Sequence, residues 1–511
     1  LKMGELNGDT VAEIMMFYKE IYDICDTRNV GWSKLYDYAL FLHDLRCYAK
    51  AIEVAEKLNW YYSAPGRKVD EYDLGSLYNL LGILYKAQNQ RDKAEKYLLA
   101  AIDIYERLVK KNAEAYESSL AMSCYNAGNF YSAQGQSDKA EKYSLAAIEI
   151  YERLVKRNPE AYEPYLAMSC YNTGLFYHKH GQSEKAEKYY LAAIEIRERL
   201  VKKNVDAYEP DLAMSYNSAG VFYHEQGQPD KAEKYHLAAI EIRERLVEKN
   251  ADAYEPDLAM SYNNAGAFYD DQNQPDKAEK YFLDAIEIKE RLVKKNADAY
   301  EPDLAMSYNN AGFFYAKQNQ SEKAEKYYLA AIEIRERLVE KNAAAYEPDL
   351  AVSYNNAGVF YKNQGQPDKA EKYYLDAIEI YERLVKKNAD AYEPALAMSY
   401  NNAGIFYSDH GQSDKAEKYY LDAIGIYERL VEKNADAYEP ALAVSYISYY
   451  FLKKDKTYLD KAYEIAKRRQ DDPRCKIIVE FVESHKDSLF SGKPRKRERL
   501  RRFFRPRNKK R

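Results

Sequence analysis

The segment Tyr-Asn-Asn-Ala-Gly-x-Phe-Tyr beginning at Tyr354 recurs, with small changes, at Tyr78, Cys124, Cys170, Tyr216, Tyr262, Tyr308 and Tyr400, always 46 residues apart. A second segment, Lys-Ala-Glu-Lys, keeps step around Ala94, Ala140, Ala186, Ala232, Ala278, Ala324, Ala370 and Ala416. Eight copies in strict phase exclude a single compact globule for these 511 residues. They require a repeat architecture, in which no unit buries its apolar face alone and each stacks on its neighbours.

One copy can be read physically from Pro348. Proline suits the first helical position, where its missing N–H costs nothing and its φ is already set. The first helix is predicted from there to about Asn363, with Leu350, Tyr354, Ala357, Gly358 and Tyr361 at three- and four-residue spacing. Glycine inside a helix costs about 1 kcal/mol against alanine, so Gly358 implies close approach of the second helix. Gly365-Gln366-Pro367-Asp368 is predicted as the turn, with Asp368 as the cap. The second helix carries Ala370, Tyr374, Ala377, Ile378, Tyr381, Leu384 and Val385 on its apolar stripe. Asp368/Lys372, Glu379/Arg383 and Glu382/Lys386 stand at i,i+4 on its solvated side. That helix is predicted to end at Asn388, before a loop over 389–393.

The pattern Tyr354-x2-Ala357-Gly358-x2-Tyr361, Gly365, and Ala370-x3-Tyr374 with Ala377 beyond resembles the tetratricopeptide repeat family. The family's usual repeat is about 34 residues, so each copy here is about twelve longer. In this it is similar to the long-helix subgroup that includes kinesin light chains, without their N-terminal heptad coiled coil. The resemblance implies an all-α, right-handed α-solenoid of stacked antiparallel helix pairs. It also implies a concave groove lined by the first helices, where a peptide segment of a partner protein binds.

Four regions follow from the repeat boundaries. Residues 1–70 form an N-terminal cap, with a leading helix over 8–26 and one divergent helix pair. Residues 71–445 are the eight regular repeats. Residues 446–490 hold a degenerate repeat, in which Tyr450 replaces the packing glycine, and a closing helix over 474–489. Residues 491–511 are a basic tail, expected to be disordered.

Comparison among the eight copies separates scaffold from candidate reader positions. The asparagines Asn126, Asn172, Asn264, Asn310, Asn356 and Asn402 recur just before the Ala-Gly or its equivalent. An amide both donates and accepts. These side chains either clamp the backbone of an extended peptide, as in the asparagine ladder of O-GlcNAc transferase that they resemble, or cap turns or bond between neighbouring repeats. The residue after the glycine varies, including Val221, Phe313 and Val359, as does the pair after the next tyrosine, including His178, His224 and Lys362. His178 and His224 lack a third ligand for a metal and are expected to face solvent.

The net charge of −5 conceals an asymmetry. Residues 491–511 hold twelve Lys/Arg and one Glu, net +11, which leaves −16 for the remainder. Lys493, Arg495, Lys496, Arg497, Arg501, Arg502, Lys509, Lys510 and Arg511 make the tail a candidate polyanion binder. Its partner is nucleic acid, an acidic surface, an acidic protein or the solenoid itself. The five cysteines include no CxxC pair, and stacked helices about 8–10 Å apart keep Cys124 and Cys170 beyond disulfide reach. Reduced thiols and a cytoplasmic location are expected. No nucleophile elbow, phosphate loop, HExxH or metal-ligand cluster is present. The sequence therefore predicts a non-catalytic interaction scaffold without a cofactor.

Overall fold

A computed structural model describes residues 32–470 and 472–484. The described residues form twenty-one α-helices and no strand. The leading helix expected over 8–26 and the basic tail fall outside them. The chain divides into two compact units at Asn264/Ala265.

Within each unit, apart from the helix at 251–271, the first helices of the regular repeats pack on the second helix of their own repeat and on the second helix before them. The result is a solenoid of stacked helix pairs. The pair at the front is Trp32–Asp44 and Tyr48–Tyr62. The first helices of the eight regular repeats begin at Glu71, Ala113, Pro159, Val205, Ala251, Ala297, Ala343 and Ala389. From the second repeat onward both helices are 21 residues long.

The helix boundaries correct two expectations. The segment 389–393 is not a loop: the second helix Pro367–Lys387 and the next first helix Ala389–Asp409 are separated by Asn388 alone. Each such asparagine serves both neighbours. Asn342 gives its N–H to Leu338 O at 2.9 Å, closing one helix. Its Oδ1 accepts from the Ala345 N–H at 3.3 Å, capping the next. Pro348 consequently lies inside the helix, six residues in, and opens nothing. So near the N-terminus it removes a single backbone bond, which is why the helix survives it.

On the opposite side the hairpin turn is built as expected on Gly365, whose φ is +69°. Asn89, Asn273 and Asn319 take the same left-handed conformation where glycine is absent. Asp368 does not cap. Gln366 holds the cap position, Pro367 takes the first helical place, and Asp368 stands in the first turn, where its charge favours the helix dipole.

The core follows the predicted stripes. Ala357, Phe360, Tyr361, Ala370, Tyr374, Ala377, Ile378, Tyr381 and Leu384 are buried. A Cβ on Gly358 would lie 2.8 Å from the Tyr374 ring, so the glycine makes room for an aromatic side chain of its own hairpin. Buried carboxylates tie successive second helices to the first helices before them. Glu347 accepts from Arg383 at 2.7 Å, with Lys387 at 3.9 Å. Arg383 also makes the expected pair with Glu379 at 3.0 Å. Lys372 instead faces Asp376 at 3.7 Å, and Glu382 accepts from the Tyr400 hydroxyl at 2.7 Å. Cys47, Cys124, Cys170 and Cys475 are free thiols. Burial pushes the Cys124 thiol up to about 12, so it stays protonated.

Candidate functional site on the first helices

In the second unit the first helices 297–317, 343–363 and 389–409 lie side by side. Residues at i, i+3/4 and i+7 share one helix face. On that face stand Met306, Asn310 and Phe313, then Val352, Asn356 and Val359, then Met398, Asn402 and Ile405. Phe313 is 56% exposed and Met398 46%, with Met306, Val352 and Val359 also exposed. The side chains form an apolar strip crossing three repeats, with asparagine amides set into it. The methionine row escaped sequence comparison because those positions barely vary, whereas exposure identifies them at once.

The asparagines differ between the two units. Asn126 donates to Asn79 Oδ1 at 3.1 Å, Asn172 to the Tyr125 hydroxyl at 2.5 Å and Asn264 to Asn217 Oδ1 at 3.1 Å. Each partner belongs to the preceding repeat. In the first unit these amides therefore join neighbouring repeats. Asn310, Asn356 and Asn402 are half-buried and are free of any such bond among the described residues. The residues preceding them are buried asparagines. Asn355 donates to Ser399 Oγ at 2.7 Å and Asn401 to Ser445 Oγ at 2.6 Å, but Asn309, Asn355 and Asn401 each hold an Oδ1 with no hydrogen-bond partner. A buried acceptor left unmade costs about 1–3 kcal/mol.

The variable residues after the tyrosine mostly face one another across repeats. His178 Nε2 lies 2.7 Å from Glu225 Oε2, and its Nδ1 lies 3.1 Å from the Tyr190 hydroxyl. A carboxylate only accepts, so Nε2 carries the proton and Nδ1 accepts from tyrosine. His178 is thus occupied by its neighbours and is not turned to solvent. Lys317 reaches Asp270 at 3.0 Å, and Lys362 faces Asp409 at 3.7 Å. These pairs run between residues 47 apart, one more than the repeat. His224 and Val221 are half-buried. No group of three or more metal-ligating side chains occurs among the described residues.

The pattern of stacked hairpins, packing glycines and small-residue positions is matched by sequence profiles described as tetratricopeptide repeat. They cover residues 74–112, 120–160, 167–199, 211–291, 303–383 and 349–429. The chain belongs to the tetratricopeptide repeat family. No curated protein sequence matches it. Among solved structures it is similar to BtubC from P. vanneervenii, with 22% identity over 52% of this chain and 95% of that one, TM-score 0.39. It is also similar to the apo form of the quorum sensor NprR from B. thuringiensis, with 17% identity over 77% and 98%, TM-score 0.45. The apo form of RapI shares 16% identity over 61% and 100%, TM-score 0.44. Among the described residues no helix is long and apolar enough to cross a membrane.

Proposed function

We propose that this tetratricopeptide repeat chain is a non-catalytic scaffold that holds an extended segment of a partner protein against its first helices, chiefly at 297–409. The observation carrying this reading is the coincidence, on three successive first helices, of exposed apolar side chains with asparagine amides that bond no other side chain among the described residues. A contiguous exposed apolar strip with polar groups set into it has the composition of an interaction surface. Met306, Phe313, Val352, Val359 and Met398 supply apolar contact. Asn310, Asn356 and Asn402 offer donors and acceptors to a peptide backbone. In the first unit, Asn126, Asn172 and Asn264 brace the scaffold instead. His178 and Lys362 act in this reading by positioning their helices.

The test is selection of peptides from a display library by the full chain. Enriched peptides should be extended segments with apolar side chains. Phe313→Asp with Val359→Asp should abolish enrichment, and Asn310, Asn356 and Asn402 all changed to Ala should weaken it strongly. Enrichment unchanged by the first pair would overturn the proposal. Enrichment unchanged by the asparagine set would remove the backbone clamp from it.

A further inference from the structure

The three first helices 297–317, 343–363 and 389–409 of the second unit carry eight carboxylates. Six of them, Asp298, Glu301, Glu347, Asp390, Glu393 and Asp409, each hold a lysine or arginine at 2.6 to 3.7 Å. The exceptions are Asp303 and Asp349. Both are exposed, and neither carboxylate has a hydrogen-bond or ion-pair partner among the described residues. Lys289 and Arg335 lie buried beneath them and donate to the aspartates' backbone carbonyls at 3.0 and 2.9 Å. That soften the charge from below but leaves the carboxylate oxygens open to a cation arriving from solvent.

These two carboxylates border the apolar strip. Asp303 stands one turn before Met306, and Asp349 one turn before Val352, on the same helix face. Each of these two helices therefore presents a carboxylate, an apolar side chain, an amide and a second apolar side chain in succession. At the far end of that face stand Lys317 and Lys362, the lysines of these helices, and both are occupied. Lys317 meets Asp270 at 3.0 Å and Lys362 faces Asp409 at 3.7 Å. The strip thus has one border whose charges are paired and one that is anionic.

We infer that the segment held on this strip is basic as well as apolar, with two Lys or Arg side chains set against Asp303 and Asp349. The inference rests on the peptide-holding role proposed above and names the chemistry of the partner. A neutral apolar segment would strip water from the two carboxylates and return nothing. An acidic one would add like-charge repulsion. Lysine and arginine meet both demands, because their aliphatic stems extend the contact over Met306 and Val352 while their heads reach the carboxylates. Adjacent packed helices lie about 8–10 Å apart, the span of about three residues of extended chain. Basic residues at that separation place one charge on each aspartate.

The test is display selection on the full chain, on its Asp303→Asn/Asp349→Asn variant, and on an Asp298→Asn/Asp390→Asn control that removes the same charge from paired positions. Peptides enriched by the parent and the control should carry Lys and Arg in clear excess over Asp and Glu, beside apolar residues. The Asp303→Asn/Asp349→Asn variant should still enrich apolar peptides, without the basic excess. It should bind a synthetic copy of the peptide most enriched by the parent about three- to tenfold more weakly at low ionic strength, a difference that narrows in high salt. Apolar peptides enriched with no basic bias, or a bias that this variant keeps, would overturn the basic partner and leave the scaffold reading standing. Absence of any enrichment by the parent chain would overturn both.

Discussion

Gly358 and Tyr374 meet so closely that a Cβ on the glycine would fall 2.8 Å from the ring carbons Cδ1 and Cε1. Helix propensity alone favours Gly358→Ala by about 1 kcal/mol. Overpacking a filled core costs about 1–3 kcal/mol, and the ring, buried on its other sides, has nowhere to retreat. The variant should therefore be destabilised by up to about 2 kcal/mol net, read as a lower urea midpoint at constant slope. At Gly425, where nothing lies within 4 Å, the same substitution should stabilise.

His236 occupies the place held elsewhere by Tyr190, Tyr328, Tyr374 and Tyr420, against Gly220. Burial, reinforced by His224, lowers its pKa to about 4 from an ordinary 6.5. The unfolded chain therefore takes up this proton first. The stability linked to His236 is complete above about pH 6.5 and declines as pH falls towards 4, by on the order of 3 kcal/mol. His236→Tyr should remove this component. Its stability advantage over the parent, measured by denaturant titration, should widen between pH 6.5 and 4 and stay flat above that range.

Asn342 closes one helix and caps the next. Asn342→Ala should cost about 1 kcal/mol, while Asn342→Asp, which keeps the acceptor, should cost less. Hydrogen exchange at the Ala345 amide should accelerate in the alanine variant.

Phe313→Asp should leave the thermal midpoint almost unchanged, within about 0.5 kcal/mol of the parent stability, as expected of an exposed side chain. A large loss would mean that the strip at 297–409 is held in place by its own packing and is not a surface kept for a partner.

Much of this architecture is legible in the sequence. The 46-residue step, the close approach of the two helices at Gly358 and the turn on Gly365 all follow from local spacing and backbone chemistry. The misreadings have physical causes. Proline at 348 looked like a helix start because the sequence does not reveal that one asparagine can join two helices. The variable pairs looked like ligand readers because copies align at 46 residues, whereas side chains meet at 47. The division of the asparagines, bonded between repeats in the first unit and without such a bond among the described residues of the second, stands in no pattern of the sequence.

The one-residue Asn junctions have a consequence for how the chain can be altered. Between repeats there is no slack, since any added residue must separate a closing carbonyl from the cap that depends on the same asparagine. Within each hairpin the left-handed residue, such as Gly365, sits on an exposed bend that tolerates extra length. Insertions, tags and protease nicks should accumulate along that edge alone, so the solenoid has one editable border and one sealed border.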